Sequence, residues 1–375
     1  MGKNKEKLQS KVVDFLRFPL MIGVVIIHSR FTIILQPQML EYVQTGGIYF
    51  YVSWLFSKVI FGICVPVFFF ISGYLFFREG NLTIQSYVYK LKRRFFSVFV
   101  PFFCWNLIYV LIFIFLGYNI LYLDNGEPKG IVPWLNGNTG GGLNKACCWV
   151  MGVFFNFNGS GSPADVPFWY IRELICMFIL APVVYWFVKY LKHYGLVIAI
   201  LVWVLSGQYV TLPYLLMRPA ILFFIMGAYF ALNKINLVEL FSRIGGWIYG
   251  CYGVVAIIDL FTNEFEYNNY IHRVTILMGG VVAFKVATAI VWRKEHPDSD
   301  LMKQIKSTNF FIFAFHWILL YWLAFPLSKL VHNGSDLSLI TIYFMQIILC
   351  CTISIFLGMV LNKLFPRTMK FINGR

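Results

Sequence analysis

Ten apolar runs divide this 375-residue sequence, and their succession limits the folds open to it more than any motif does. They lie near 13 to 35, 48 to 77, 95 to 116, 167 to 188, 194 to 208, 215 to 233, 244 to 261, 274 to 293, 309 to 328 and 337 to 362. Most are long enough to cross about 30 Å of hydrocarbon. In a bilayer each backbone polar group must find its partner within the segment or a closed barrel, so apolar runs of this length fold as helices. The expected fold class is all-α: a polytopic integral membrane protein of about ten transmembrane helices. Composition agrees, with 59% hydrophobic residues, only 13% charged ones and a mean hydropathy of +0.73.

The formal net charge of +15 would suit a nucleic-acid binder if it formed one basic surface. Instead the lysines and arginines fall in short segments between the runs, as the positive-inside rule describes. With the N-terminus in the cytoplasm, twenty-one of them lie in cytoplasmic segments. The outer loops hold five: Lys129, Lys145, Arg218, Arg273 and Lys329. Dropping one span would scramble that alternation, so both termini are expected to be cytoplasmic. Residues 1–375 read as a single membrane-embedded domain in the plasma (inner) membrane, with a basic tail at 1–12 and a long outer loop at 117–166.

That loop is rich in Gly, Asn and Pro with interspersed Trp and Phe, which suits a packed lid or acceptor-binding element. The first apolar run exceeds a signal-peptide core and lacks a small-residue cleavage site, so it reads as a retained span. Most of the eight cysteines lie inside apolar runs and form no CxxC pair, so metal or redox roles are not expected. No internal repeat is evident and no soluble domain is expected at either end.

Ionisable residues inside the runs need an explanation, since each costs about 2.5–3.5 kcal/mol to insert. In DFLRFPLMIGVVIIHSR, Arg17 and His28 are eleven residues apart. On a helix they project within roughly 20° of each other and about 16 Å apart along the axis. A cation near the cytoplasmic mouth and an imidazole deeper on the same face suit a cavity that admits an anionic cytosolic molecule. Read singly, Arg17 is a snorkelling anchor and His28 a helix-to-helix hydrogen bond. Asp14, three residues before Arg17, can pair with it.

Ser72 and Gly73 in VPVFFFISGYLFF permit close approach by a helix or a ligand. Lys90, Lys92, Arg93 and Arg94 form either a positive-inside anchor or a phosphate-binding rim. In PFWYIRELI, Trp169 suits an aromatic belt. Arg172 and Glu173 are adjacent and diverge by about 100°, so each is expected to need a separate partner, with Arg172 facing the level of His28. His316 lies about two turns into the ninth run, with Lys285 in the eighth at similar depth, while Asp259 reads as interfacial.

Taken in order, these motifs resemble the membrane acyltransferase-3 family, ten-helix proteins that move acyl groups, commonly acetyl, from coenzyme A to sugars and other acceptors. LRFPLMIGVVIIH resembles its Arg-x10-His first helix, VPVFFFISGYLF its second, KRRFFSVFVP its basic stretch, FWYIRELI its Trp-Phe-x-Arg segment and FFIFAFHWILL its late histidine helix. The likeness runs from about residue 11 to 363. It implies that Arg17 and His28 are the catalytic pair and that Arg17, Ser72, Arg93, Arg94 and His316 bind acyl-CoA. Asp14, Trp169, Arg172 and Glu173 would support the acceptor side.

No permanently bound cofactor and no metal are implied. Acetyl-CoA or another acyl-CoA is the donor substrate, a glycan or a small hydroxyl compound the acceptor, membrane lipid the surroundings, and nucleic acid is not a partner. Family members with a fused esterase-like domain exist, and lacking one favours a stand-alone enzyme. An imidazole with an ordinary pKa near 6.5 can take the acceptor's proton, or it can carry the acyl group covalently. The competing class is a proton-coupled transporter or flippase using His28, Arg172, Glu173 and Lys285.

Overall fold

The computed structural model describes residues 2–30, 47–115, 123–124, 127–128, 154–155, 163–205, 219–293, 298–330 and 335–375. Its architecture is all-helical, save for two-residue strands Leu123–Asp124 and Glu127–Pro128 that pair antiparallel. Apart from those pairs, the long outer loop lies almost wholly outside the described residues, and so does its expected role as a lid.

Helix α1 is Gly2–His28. The second run is helical from Ile48 to Phe77, beginning as α2 (Ile48–Trp54), passing through a π segment at Leu55–Ile60 and a 3-10 turn, and ending as α3 (Cys64–Phe77). Helix α4 (Ile84–Arg94) leads through a second π segment, Phe95–Phe99, into α5 (Val100–Phe115). There follow α6 (Trp169–Ile179), α7 (Ala181–Leu205), α8 (Pro219–Leu232), α9 (Leu237–Arg243), α10 (Trp247–Phe261) and α11 (Asn268–Arg293). The chain ends with α12 (Asp300–Ser307), α13 (Asn309–Ser328), α14 (Asp336–Leu364) and α15 (Pro366–Ile372).

Among the described residues, five helices are long and apolar enough to cross a membrane, or seven when the bent pairs α8–α9 and α12–α13 are each taken as one span. Several expected runs keep their places but fall outside that set. Helix α10 has only 15 residues, and α1 carries Lys11, Asp14 and Arg17 within its last 18 residues. The expected fourth and fifth runs meet inside α7, where Lys192 leaves helical geometry at φ 48°. Large apolar side chains such as Val197, Leu201, Ile257, Ile348 and Phe356 remain exposed, as a surface facing hydrocarbon requires.

Local chemistry sets the helix ends. Thr83 and Ser86 cap α4 reciprocally, each side chain accepting the other residue's backbone N–H. Asp336, the first residue of α14, accepts the N–H groups of Ile48 and Tyr49 at 3.0 and 2.9 Å and so caps α2 from a distant helix. Lys285 in α11 donates to the carbonyls of Phe241 and Ile244 at the end of α9, a favourable seat for a cation. It is a structural cap.

Helices α3 and α8 cross closely because glycine faces each of them. A Cβ on Gly73 would strike the Phe224 carbonyl, and one on Gly227 the Phe70 carbonyl. Buried aromatics extend this contact, with Phe76 stacked on Phe178 at 5.3 Å between ring centroids. Gln9 ties α1 into the bundle, donating to the Tyr74 hydroxyl while accepting the Leu237 N–H at 2.6 Å.

Candidate active site

Positions 17, 21, 24 and 28 of α1 fall on one helical row. Arg17, Met21 and Val24 form one wall of a cavity of about 420 Å³, and His28 is the next residue of that row beyond it. Ser72 and Leu75 of α3, Tyr170 and Leu174 of α6, and Phe310 and Phe313 of α13 line other walls. A second chamber of about 480 Å³ adjoins the first, and Leu75, Arg94, Ser97, Gly374 and Arg375 line both. Lys90, Arg93 and Tyr89 belong to this second chamber, on the side from which the basic helix α4 rises.

The cationic lining is only partly neutralised. Arg17 pairs with Asp14 at 3.2 Å on the helix surface, Lys90 with Glu79 at 3.0 Å, and Lys306 with Asp298 at 2.6 Å. Arg94 lies 5.1 Å from the Phe178 ring centroid and Arg93 5.9 Å from that of Tyr89. No carboxylate among the described residues pairs with Arg93, Arg94 or Arg375. Together these side chains make a positive, water-accessible neck leading into a mainly apolar chamber, a combination suited to an anionic head and an uncharged arm.

At the far end of the row, the His28 ring centroid is 5.4 Å from that of His316 and 5.3 Å, edge-on, from that of Trp317. His316 is fully buried. Its Nδ1 lies 3.1 Å from the Ile312 carbonyl and 2.6 Å from that of Phe313, so Nδ1 carries the proton and donates. Its Nε2 is consequently a bare acceptor, buried and without a hydrogen-bond partner among the described residues. Phe313, which lines the first chamber, has its ring 6.1 Å from His316. Phe313 therefore neighbours both the chamber and the histidine pair.

Several expected positions are rearranged. His316, grouped by the sequence with the donor-binding residues, stands beside His28 rather than on the cavity wall. Trp169 faces Phe69 at 6.5 Å, and it is the next residue, Tyr170, that lines the cavity. Arg172 and Glu173 do pair with each other, against the expectation. Their side chains, each 1% exposed, pair with one another at 2.8 Å, and Arg172 also donates to the Phe155 carbonyl. Adjacent Cβ atoms diverge by about 100°, but a long guanidinium arm can curl back, and an unpaired charge in this buried setting would cost several kcal/mol. Asp259, near the end of α10, is fully buried and is held by Asn268 and by His272 Nδ1 at 2.9 Å.

No distinct signal in the sequence marks Tyr170, Lys306, Arg375 or Trp317 as site neighbours. Lys306 and Arg375 are indistinguishable there from ordinary positive-inside residues, and Trp317 from one more aromatic in an aromatic helix. No group of three or more metal-ligating side chains occurs among the described residues.

The family model described as an acyltransferase domain, of the acyltransferase-3 type, matches residues 11–363, nearly the whole chain. No curated protein and no solved structure matches at a significant level. A match of that extent includes the row from Arg17 to His28, the basic stretch at Arg93 and Arg94, and the helix of His316. The chain therefore belongs to the acyltransferase-3 family of membrane acyltransferases.

Proposed function

We propose that this protein transfers an acyl group, acetyl being the expected one, from cytosolic acyl-CoA to a hydroxyl of a glycan or related acceptor at the plasma (inner) membrane. The supporting observation is the helical row that starts at Arg17 beside an incompletely neutralised cationic neck, continues through Met21 and Val24 on the cavity wall, and reaches His28, whose ring lies against that of His316. In this reading ten helices cross the membrane with both termini in the cytoplasm, so the basic chamber opens to the donor's compartment.

The donor's nucleotide and phosphates would lie against Arg93, Arg94 and Arg17, with Ser72 beside the arm. The pantetheine arm would follow the apolar chamber wall and bring the thioester towards His28, roughly 16 Å from Arg17 along the helix. His28 then takes the proton of the acceptor hydroxyl while the oxygen attacks the thioester carbonyl. The C–S bond breaks, and the leaving thiolate recovers that proton from the imidazolium. Positioned base catalysis of this kind contributes on the order of 10²–10⁴ in rate.

Three of the four residues expected for a proton-coupled carrier make structural contacts in this fold. Arg172 and Glu173 bind each other, and Lys285 caps α9. The test is to reconstitute purified protein in sealed vesicles with labelled acetyl-CoA and a panel of membrane glycans. Label covalently attached to a glycan supports the transferase. Movement of unmodified glycan across the bilayer without consumption of acetyl-CoA would replace it with the carrier.

A further inference from the structure

The end of the chain is built into the cavity. Phe365 breaks α14 with φ −128° and ψ 58°, and Pro366 starts α15, where a missing N–H costs nothing. Met369 is then buried at 3% exposure, and the Ile372 carbonyl accepts the Trp105 indole N–H at 3.0 Å. Gly374 takes φ +67°, a conformation that favours glycine, and its backbone lies so close to Ser97 that a Cβ would strike the Ser97 carbonyl. The Arg375 N–H donates to the Lys370 carbonyl at 2.8 Å, and its guanidinium donates to the Ser307 carbonyl at the end of α12. A frayed tail would show none of these attachments.

This turn sits where the two chambers meet. Gly374 and Arg375 line both, as do Arg94 and Ser97 from α4 and the π segment after it. Arg94 and Arg375 thus flank the neck from different parts of the chain, neither with a carboxylate partner among the described residues. A guanidinium has five N–H donors, and one carbonyl leaves most of Arg375's available. The chamber on one side is basic and polar; that on the other is largely apolar. A ligand threading both, with a nucleotide on one side and a neutral arm on the other, would place the pyrophosphate that joins them at the neck.

We propose that residues 373–375 form part of the donor site and that Arg375, opposite Arg94, clamps the donor's pyrophosphate at this neck. The inference rests on the acyl-CoA reading above. Arg375 is thereby a binding residue, set by a glycine turn and remote in sequence from the first-helix motif.

The test is binding of CoA and 3′-dephospho-CoA to the full-length protein in detergent, with S-acetylpantetheine, which lacks the nucleotide and pyrophosphate, as an alternative acyl donor. Arg375→Ala should weaken both nucleotide ligands to the same extent, by about 10- to 100-fold, the loss of a charge-assisted hydrogen-bonding partner. Transfer from S-acetylpantetheine should proceed at the wild-type rate, and Arg367→Ala, which removes an exposed charge from the preceding helix α15, should bind as wild type. If Arg375→Ala does not fold, Gly374→Ala, which displaces the turn from Ser97, should give the same pattern.

Unchanged CoA affinity in Arg375→Ala would overturn the clamp. So would a loss confined to CoA and absent for 3′-dephospho-CoA, or an equal loss of transfer from S-acetylpantetheine. Wild-type protein that binds no nucleotide probe would instead overturn the acyl-CoA reading itself, together with the clamp.

Discussion

The rings of His28 and His316 lie 5.4 Å apart, centroid to centroid, although the two residues are 288 positions apart in the sequence. His316 Nδ1 is committed to the Ile312 and Phe313 carbonyls, so the ring cannot turn without giving up those bonds. That leaves a fixed, bare Nε2 in the neighbourhood of the proposed base. In the proposed mechanism His316 would position His28 and the acceptor hydroxyl.

Replacing His316 should therefore impair turnover more than donor binding. His316→Phe is expected to lower kcat by about 10- to 100-fold, the cost of a misplaced reacting group, with the affinity for acyl-CoA unchanged. Steady-state kinetics beside direct CoA binding will separate the two. A rise in Kd with unaltered kcat would instead favour a donor-binding role for His316.

The buried Arg172–Glu173 pair predicts an asymmetric mutational result. Removing one partner, as in Glu173→Ala, takes the ion-pair partner from a buried guanidinium and should cost about 3–5 kcal/mol of stability. Replacing both with apolar residues of similar volume, Arg172→Met with Glu173→Leu, should restore most of that loss. Thermal unfolding in detergent, compared across the two single variants and the double variant, measures the difference.

Asp336 holds α14 against the start of α2 through two backbone N–H groups. Asp336→Ala should destabilise the fold by about 1 kcal/mol, as loss of a helix cap does, while leaving CoA affinity intact. Asp336→Asn, which keeps one acceptor oxygen, should retain part of the stability. Melting temperatures of the two variants check the order.

Much of this organisation was legible in the residues. The ninth run, expected at 309 to 328, is Asn309–Ser328, and the second, at 48 to 77, is continuous from Ile48 to Phe77. Both are apolar enough for hydropathy alone to locate them. The Arg17–His28 row follows from helical geometry, and the arginine end of that row does line a cavity. What sequence could not supply was partnership between distant segments. Nothing near Asp336 says that it caps residues 48 and 49, nothing near Arg375 says that it reaches a cavity, and nothing near His316 says that its neighbour is His28. Arg172 and Glu173 differ from the expectation for another reason: the angle between Cβ atoms equals the angle between charges for short side chains but not for arginine.

The most direct test of the central claim is the acyl-transfer rate of His28→Ala beside its affinity for acyl-CoA, in protein whose melting temperature equals that of wild type. With Arg17, Arg94 and the neck intact, CoA should bind as in wild type, and transfer should fall by at least about 10²-fold. Transfer at the wild-type rate would contradict the assignment of His28 as the base at the end of the Arg17 row.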